Sequence, residues 1–361
     1  MPLSRPGVKD VARHASVSAA TVSRYLNGSL ELPERTSVRI DRAVRELRYR
    51  PNPHARRLSL GRTDAFSLIV PNLTNPFFAG LAAGVEEGAA ERGMSVTLHT
   101  TANDPDRELR ALDAAARGLV DGLIFATDAP PLGEVATQLG RSPRAVVLDT
   151  FVAGAAIPQI SCDNEMGGYL AGKHLRAAGH ECVAYLGGGA ELPSTRARCA
   201  GLRGALGEDA TIDMRSGPCR RETGHDLIRD VLATGDATAV LIGSDEMALG
   251  ALEVLREDGV AVPGDLSIVS FDDVHPLSLL DPPLTAVRQP VRALGRRAVE
   301  LLVDGDWGSD AFRRTVERMP VTLEPRGSVG APNGFRPGRS RRDADRTSSV
   351  RPGRVQTGEN A

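Results

Sequence analysis

Cysteine is scarce and scattered. The 361 residues hold four, Cys162, Cys182, Cys199 and Cys219, and no two form a CxxC pair. Neither a zinc ribbon nor a redox dithiol is therefore written into the chain, and a reducing compartment is the simple reading. No run approaches the roughly 18 apolar residues that span a membrane, so no membrane role is expected. The opening residues MPLSRPGVKD lack the apolar stretch of a secretion signal, and the expected location is the cytoplasm. Catalytic signatures are missing too: there is no HExxH, no nucleophile elbow and no triad pattern. Gly187-Gly188-Gly189 comes nearest to a phosphate loop, but it is not GxGxxG and lacks a Walker lysine. These absences argue against an enzyme, and the expected metal and cofactor are none.

What is present is an uneven charge. Apolar residues make up 41% and charged residues 25%, an ordinary globular composition, and the length suits two or three domains. The formal net charge is −2, yet residues 1–62 carry 13 basic and five acidic side chains, a net +8. Residues 326–361 carry +5, which leaves −15 on residues 63–325. A basic head on an acidic body suggests that the head alone meets a polyanion.

The stretch VKDVARHASVSAATVSRYLNG, residues 8–28, predicts two short helices over 8–14 and 18–27. A third is expected from 34 to 47, with Val38, Val44 and Leu47 closing a small core. Pro51 disfavours helix at Arg50 and ends it. Residues 1–51 thus form one unit and 52–63 a short helix and linker. From residue 64 to 326, apolar strands at 65–71, 95–101, 122–127, 145–149, 182–188, 238–243 and 266–273 alternate with helices. The helices are expected at 76–92, 105–117, 166–178, 194–206, 222–233, 246–258 and 291–303. That alternation predicts an α/β body of two lobes with parallel sheets. One lobe takes about 64–161 plus 291–318, the other about 162–288 plus 319–326. Residues 327–361, rich in Gly, Pro, Ser and Arg, read as a disordered basic tail.

Two helices joined by a three-residue turn form a helix-turn-helix, whose second helix enters the major groove of double-stranded DNA. Ser18, Thr21 and Ser23 offer hydroxyls to phosphates. Ala19, Ala20 and Arg24 would face the bases, Arg24 with two donors for guanine. Asn27 closes the set.

The run VSxxTVSRxLN, followed by YRPN, resembles the headpiece of the lactose/galactose repressor (LacI/GalR) family. The resemblance extends to about Arg326 through PNLTNPFFAGL, CDNEMGGYLAGKHL, GSDEMALGAL and DLSIVSFDD. It implies a hinge helix in the minor groove, with Asn52, Ala55 and Arg57 on DNA and Leu58 wedged between base pairs. It implies an effector domain built like a type I periplasmic sugar-binding protein, a homodimer, and repression at a pseudopalindromic operator controlled by a small ligand such as a sugar. Arg198 and Asp272 are then the main effector ligands, with Asp149, Ser244 and Gln289 beside them and Phe77 or Phe78 as an apolar wall. The chain departs from the family at Ser16, where a turn glycine is common, at Pro33, where a capping Ser is common, and at Ser244, where Asn is usual.

Other readings stay open at this point. Arg198 could serve in a structural ion pair, Asp272-Asp273 could hold a metal, and Phe77 and Phe78 could be core. A carbohydrate-binding transport protein without DNA function would explain the cleft but not the basic head. A nucleotide-dependent oxidoreductase or kinase would rest on strand–helix alternation alone.

Overall fold

The computed structural model describes residues 6–49, 63–129, 133–142, 144–274 and 276–333. Asn52, Ala55, Arg57 and Leu58 lie outside the described residues, as does the segment 334–361. Two compact units emerge, a helical head and an α/β body.

The head holds α1 (Val8–His14), α2 (Ala19–Leu26) and α3 (Glu34–Glu46). The Gly7 backbone N–H donates to Asp10 Oδ2 at 2.9 Å and opens α1. Ser18 caps α2 by accepting from the Thr21 N–H at 3.0 Å. Pro33 stands at the cap of α3 without a side-chain bond, and the helix still begins at Glu34. Val11, Ala12, Ala15, Val22, Ile40 and Ala43 form the core. Val38, expected there, is 54% exposed, because the face of α3 that meets α1 carries Ile40 and Ala43 instead. Ser16 adopts φ 48°, the left-handed region that favours glycine. Arg39 ties α3 to this turn, donating to the carbonyls of Ala15 and, at 2.9 Å, Ser16.

The body contains two six-stranded sheets. The first is built from β1 (Ala65–Val70), β2 (Ser95–Thr100), β3 (Gly122–Ala126), β4 (Ala145–Leu148), β5 (Gln159–Cys162) and β11 (Val316–Met319), in the order β11-β5-β4-β3-β1-β2. The second uses β6 (Cys182–Gly187), β7 (Thr211–Ser216), β8 (Ala239–Ile242), β9 (Ser267–Asp272), β10 (Thr285–Arg288) and β12 (Thr322–Glu324), in the order β12-β10-β9-β8-β6-β7. Every pairing is parallel except β10 with β12. Helices α4 (Pro76–Ala90), α5 (Pro105–Ala114), α6 (Gly133–Arg141) and α11 (Val291–Asp304) belong to the first lobe. Helices α7 (Asn164–Ala177), α8 (Pro193–Leu206), α9 (Arg221–Thr234) and α10 (Asp245–Glu257) belong to the second. The short α12 (Asp310–Arg313) follows α11. Strands β1, β3 and β4 are buried throughout and read as apolar runs, as parallel strands covered on both faces do.

The tail begins later than expected. Ser328 is fully buried, donates to the Ile268 carbonyl at 2.6 Å and accepts from the Thr285 N–H at 2.8 Å. The Gly330 carbonyl binds His180 Nε2 at 2.9 Å. Residues 327–333 are therefore part of the second lobe, held by polar bonds that composition does not reveal.

Candidate functional site

In parallel sheets, ligands sit beyond the carboxyl ends of the strands. Here those ends face each other across a cleft between the lobes. The first lobe brings Phe77 and Phe78 from the start of α4, Thr127 and Asp128 after β3, and Asp149 and Thr150 after β4. The second brings Arg198 from α8, Ser244 after β8 and Asp272 at the end of β9.

Arg198 is 8% exposed and sits in the second turn of α8. Its place depends on Gly168 of α7, because a Cβ there would overlap the Arg198 carbonyl. This close approach lets Nε donate to Asn164 Oδ1 at 2.7 Å and Nη1 donate to the Gly243 carbonyl. The guanidinium carbon lies 3.7 Å from the Phe271 ring centroid, a cation–π contact. Its partners are thus neutral, and among the described residues it forms no ion pair. Asn164 positions the arginine, while Asp163 caps α7 by accepting from the Met166 N–H at 3.0 Å.

Asp272 accepts from Gln289 Nε2 at 2.6 Å and from the Asp245 N–H at 3.4 Å. Burial pushes its carboxyl up to about 6, against the pull of Arg198 and the Gln289 bond. Gln289 does not line the cleft; it stands behind Asp272 and holds it. Asp149 has φ 56° and a sealed Oδ1. Burial pushes it up to about 7, which Arg198 opposes and Asp272 and Asp128 reinforce. Asp245, behind Asp272, is raised well above its ordinary value by burial and then by Asp272. Ser244 lines the cleft and also caps α10, accepting from the Met247 N–H at 3.3 Å. Phe77 and Phe78 meet edge to face at 5.3 Å and are both cleft wall and first-lobe core.

Asp273 does not pair with Asp272 around a metal. It accepts from Arg326 at 2.6 Å and Arg288 at 2.7 Å, which holds its carboxyl below the usual range despite its burial. Among the described residues no His, Cys, Asp and Glu cluster could hold a metal ion, and no helix is long and apolar enough to cross a membrane. Sequence reading passed over Thr127, Asp128 and Thr150. The signal was available: each stands one or two residues past the end of a parallel strand.

On the head, α2 exposes Ala20 and Arg24, one helical turn apart, with Ser23 and Asn27 half-buried beside them. The Arg24 guanidinium makes no ion pair among the described residues. Ser18 shares a 2.8 Å bond with the Thr21 hydroxyl, so both hydroxyls already have a partner. Ala19 packs against the head core rather than standing clear of it.

Comparison with known proteins agrees with this arrangement. The family described as "Bacterial regulatory proteins, lacI family" matches residues 7–52, and "Periplasmic binding protein-like domain" matches residues 173–329. The HTH-type transcriptional repressor PurR of Mannheimia succiniciproducens is 33% identical over 324 residues, 87% of this chain and 96% of that protein. Catabolite control protein A of Priestia megaterium is 33% identical over 329 residues, 89% of this chain and 98% of its own length. The crystal structure of the lac repressor dimer bound to operator and the anti-inducer ONPF superposes with a TM-score of 0.79 at 28% identity, covering 90% of this chain and 99% of that one. With head, body and overall order all shared, the chain belongs to the lacI family of bacterial regulatory proteins.

Proposed function

We propose that the protein is a cytoplasmic repressor that binds a pseudopalindromic operator as a homodimer and releases or grips it according to a small polyhydroxylated ligand, a sugar or sugar derivative. The observation that carries the ligand half is the cleft. Arg198 keeps Nη2 without a protein acceptor among the described residues, and the carboxylates of Asp149 and Asp272 face the same space. A planar donor fork and carboxylate acceptors each bind two neighbouring hydroxyls. The DNA half rests on α2, whose exposed Ala20–Arg24 face suits a major groove. The hinge contacts expected of Asn52, Ala55, Arg57 and Leu58 belong to the same proposal. The protein has no catalytic role in this reading; its chemistry is differential binding.

Coupling follows from population shift. A ligand that closes the cleft changes the angle between lobes, and two packed first lobes would convert that into hinge spacing. It acts only through unequal affinity for the two states. A mobility-shift assay with a pseudopalindromic operator and random duplex, at fixed salt, tests this directly. Operator is expected to bind at least about 1,000-fold more tightly than random DNA. Ligand is expected to change operator affinity by about 5- to 150-fold. Equal binding to both duplexes would refute the repressor reading and leave the carbohydrate-binding transport protein as its successor.

A further inference from the structure

Donors and acceptors in the cleft do not balance. Three carboxylates line it, Asp128, Asp149 and Asp272, against one buried cation, Arg198. A second cation, Arg220, is exposed and acts on Asp128 from outside the cleft. The second lobe satisfies its own acid, because Asp272 is bonded by Gln289 and the Asp245 N–H. The first lobe does so only in part, with Asn103 bonding Asp128. Asp128 Oδ1, Asp149 Oδ1 and Thr150 Oγ1 are sealed from solvent and lack a hydrogen-bond partner, and Thr150 is 7% exposed overall.

These three groups lie in one corner. Strands β3 and β4 pair in parallel with Ala126 opposite Leu148, so Thr127-Asp128 and Asp149-Thr150 leave the sheet side by side. Adjacent strands are about 5 Å apart, a span that one small group can bridge. Buried acceptors without donors are a standing cost, which a ligand's donors remove. A hydroxyl brings one donor and no charge. A primary ammonium brings three donors and a positive charge, matching three orphaned acceptors of which two are carboxylates.

We propose that the cleft takes a polyol bearing a protonated primary amine, of the amino-sugar class, with the ammonium held by Asp128, Asp149 and Thr150. The hydroxyls then fall to Arg198 and Asp272. This rests on the reading of the cleft as the effector site. Burial raises both Asp128 and Asp149, and an ammonium beside them favours their charged forms, so binding releases protons. Phosphorylated or carboxylated sugars meet the same carboxylates as like charges and are rejected.

Isothermal titration of the full chain tests the assignment, with glucosamine, galactosamine and mannosamine each set against its parent hexose and the hexose 6-phosphate at pH 6, where the amines are already protonated. At least one amino sugar is expected to bind 10-fold or more tightly than its parent, with no binding of the phosphates. Repeating that titration in buffers of different ionisation enthalpy is expected to show proton release. Asp128→Asn is nearly isosteric and is expected to cut the ratio of amine to parent-hexose affinity to below 2-fold. Thr150→Val provides a second variant if Asp128→Asn fails to fold, with the same expected loss of preference. A parent hexose or phosphate that binds as tightly as its amine overturns this inference and leaves the effector site standing. Absence of binding by all three classes overturns both.

Discussion

Asp149→Asn isolates the energetic cost of the cleft. Asp149 sits at φ 56°, a conformation Asn tolerates well, so the exchange removes a charge with little change of shape. Burial holds the carboxyl at about 7 in the folded protein against 3.8 when free. A carboxyl raised on folding contributes stability below its unfolded pKa and loses it as pH rises through the folded value. At about 1.4 kcal/mol per pKa unit, the wild-type protein bears a cost of up to about 4 kcal/mol at pH 8. At pH 5 the unfolded carboxyl is already ionised but the folded one is protonated, so the cost is that of taking up one proton, about 1.5–2 kcal/mol. The variant lacks this slope, so the stability gap should widen by about 2–3 kcal/mol between pH 5 and pH 8. For a body of this size that is about 4–10 °C in Tm. Calorimetric melts of the α/β transition of both proteins, in matched ionic strength across that range, measure it. Asp128, Asp272 and Arg198 remain in both and cancel to first order. Parallel Tm–pH curves for the two proteins would refute the claim that Asp149 is buried against its charge.

Three further outcomes follow from the same geometry. Arg24→Ala should weaken operator binding by about 1–3 kcal/mol and relax preference at one base pair per half-site; uniform weakening on every duplex, seen by mobility shift, would remove its base-reading role. Ser16→Gly should stabilise the head by about 0.5–1 kcal/mol, because glycine accepts φ 48° without strain, and hydrogen exchange of the head amides would show slower opening; faster opening contradicts the turn assignment. A chain ending at Asn333 should melt like the full chain, whereas one ending at Gly327 leaves the bonding groups of Ile268 and Thr285 unpaired, costs about 2–6 kcal/mol and melts several degrees lower; equal melting of the two truncations would show that Ser328 contributes nothing.

The head was readable residue by residue because its signals are local. Ser18 caps α2 three residues before the N–H it serves, and Gly28 leaves α2 at φ 72°. The exposed Val38 shows the limit: helical periodicity names a face of α3 but not which face meets α1. In the body, the long apolar strands announced themselves. The edge strands β7 and β11 did not, since their alternating exposure leaves no apolar run. Short β5, β10 and β12 were likewise passed over, each defined by its neighbour rather than by its own composition.

The helix-turn-helix, the main helices and the long apolar strands were legible in the sequence, because caps, turns and periodicity act over a few positions. Tertiary structure alone decided that Gln289 stands behind Asp272, that Asn164 aims Arg198, that residues 327–333 belong to the second lobe, and that Asp128 and Thr150 share a corner with Asp149. Each of these depends on strand register and helix approach between segments far apart in the chain, and a burial cost exists only once the fold has excluded water from the group that bears it.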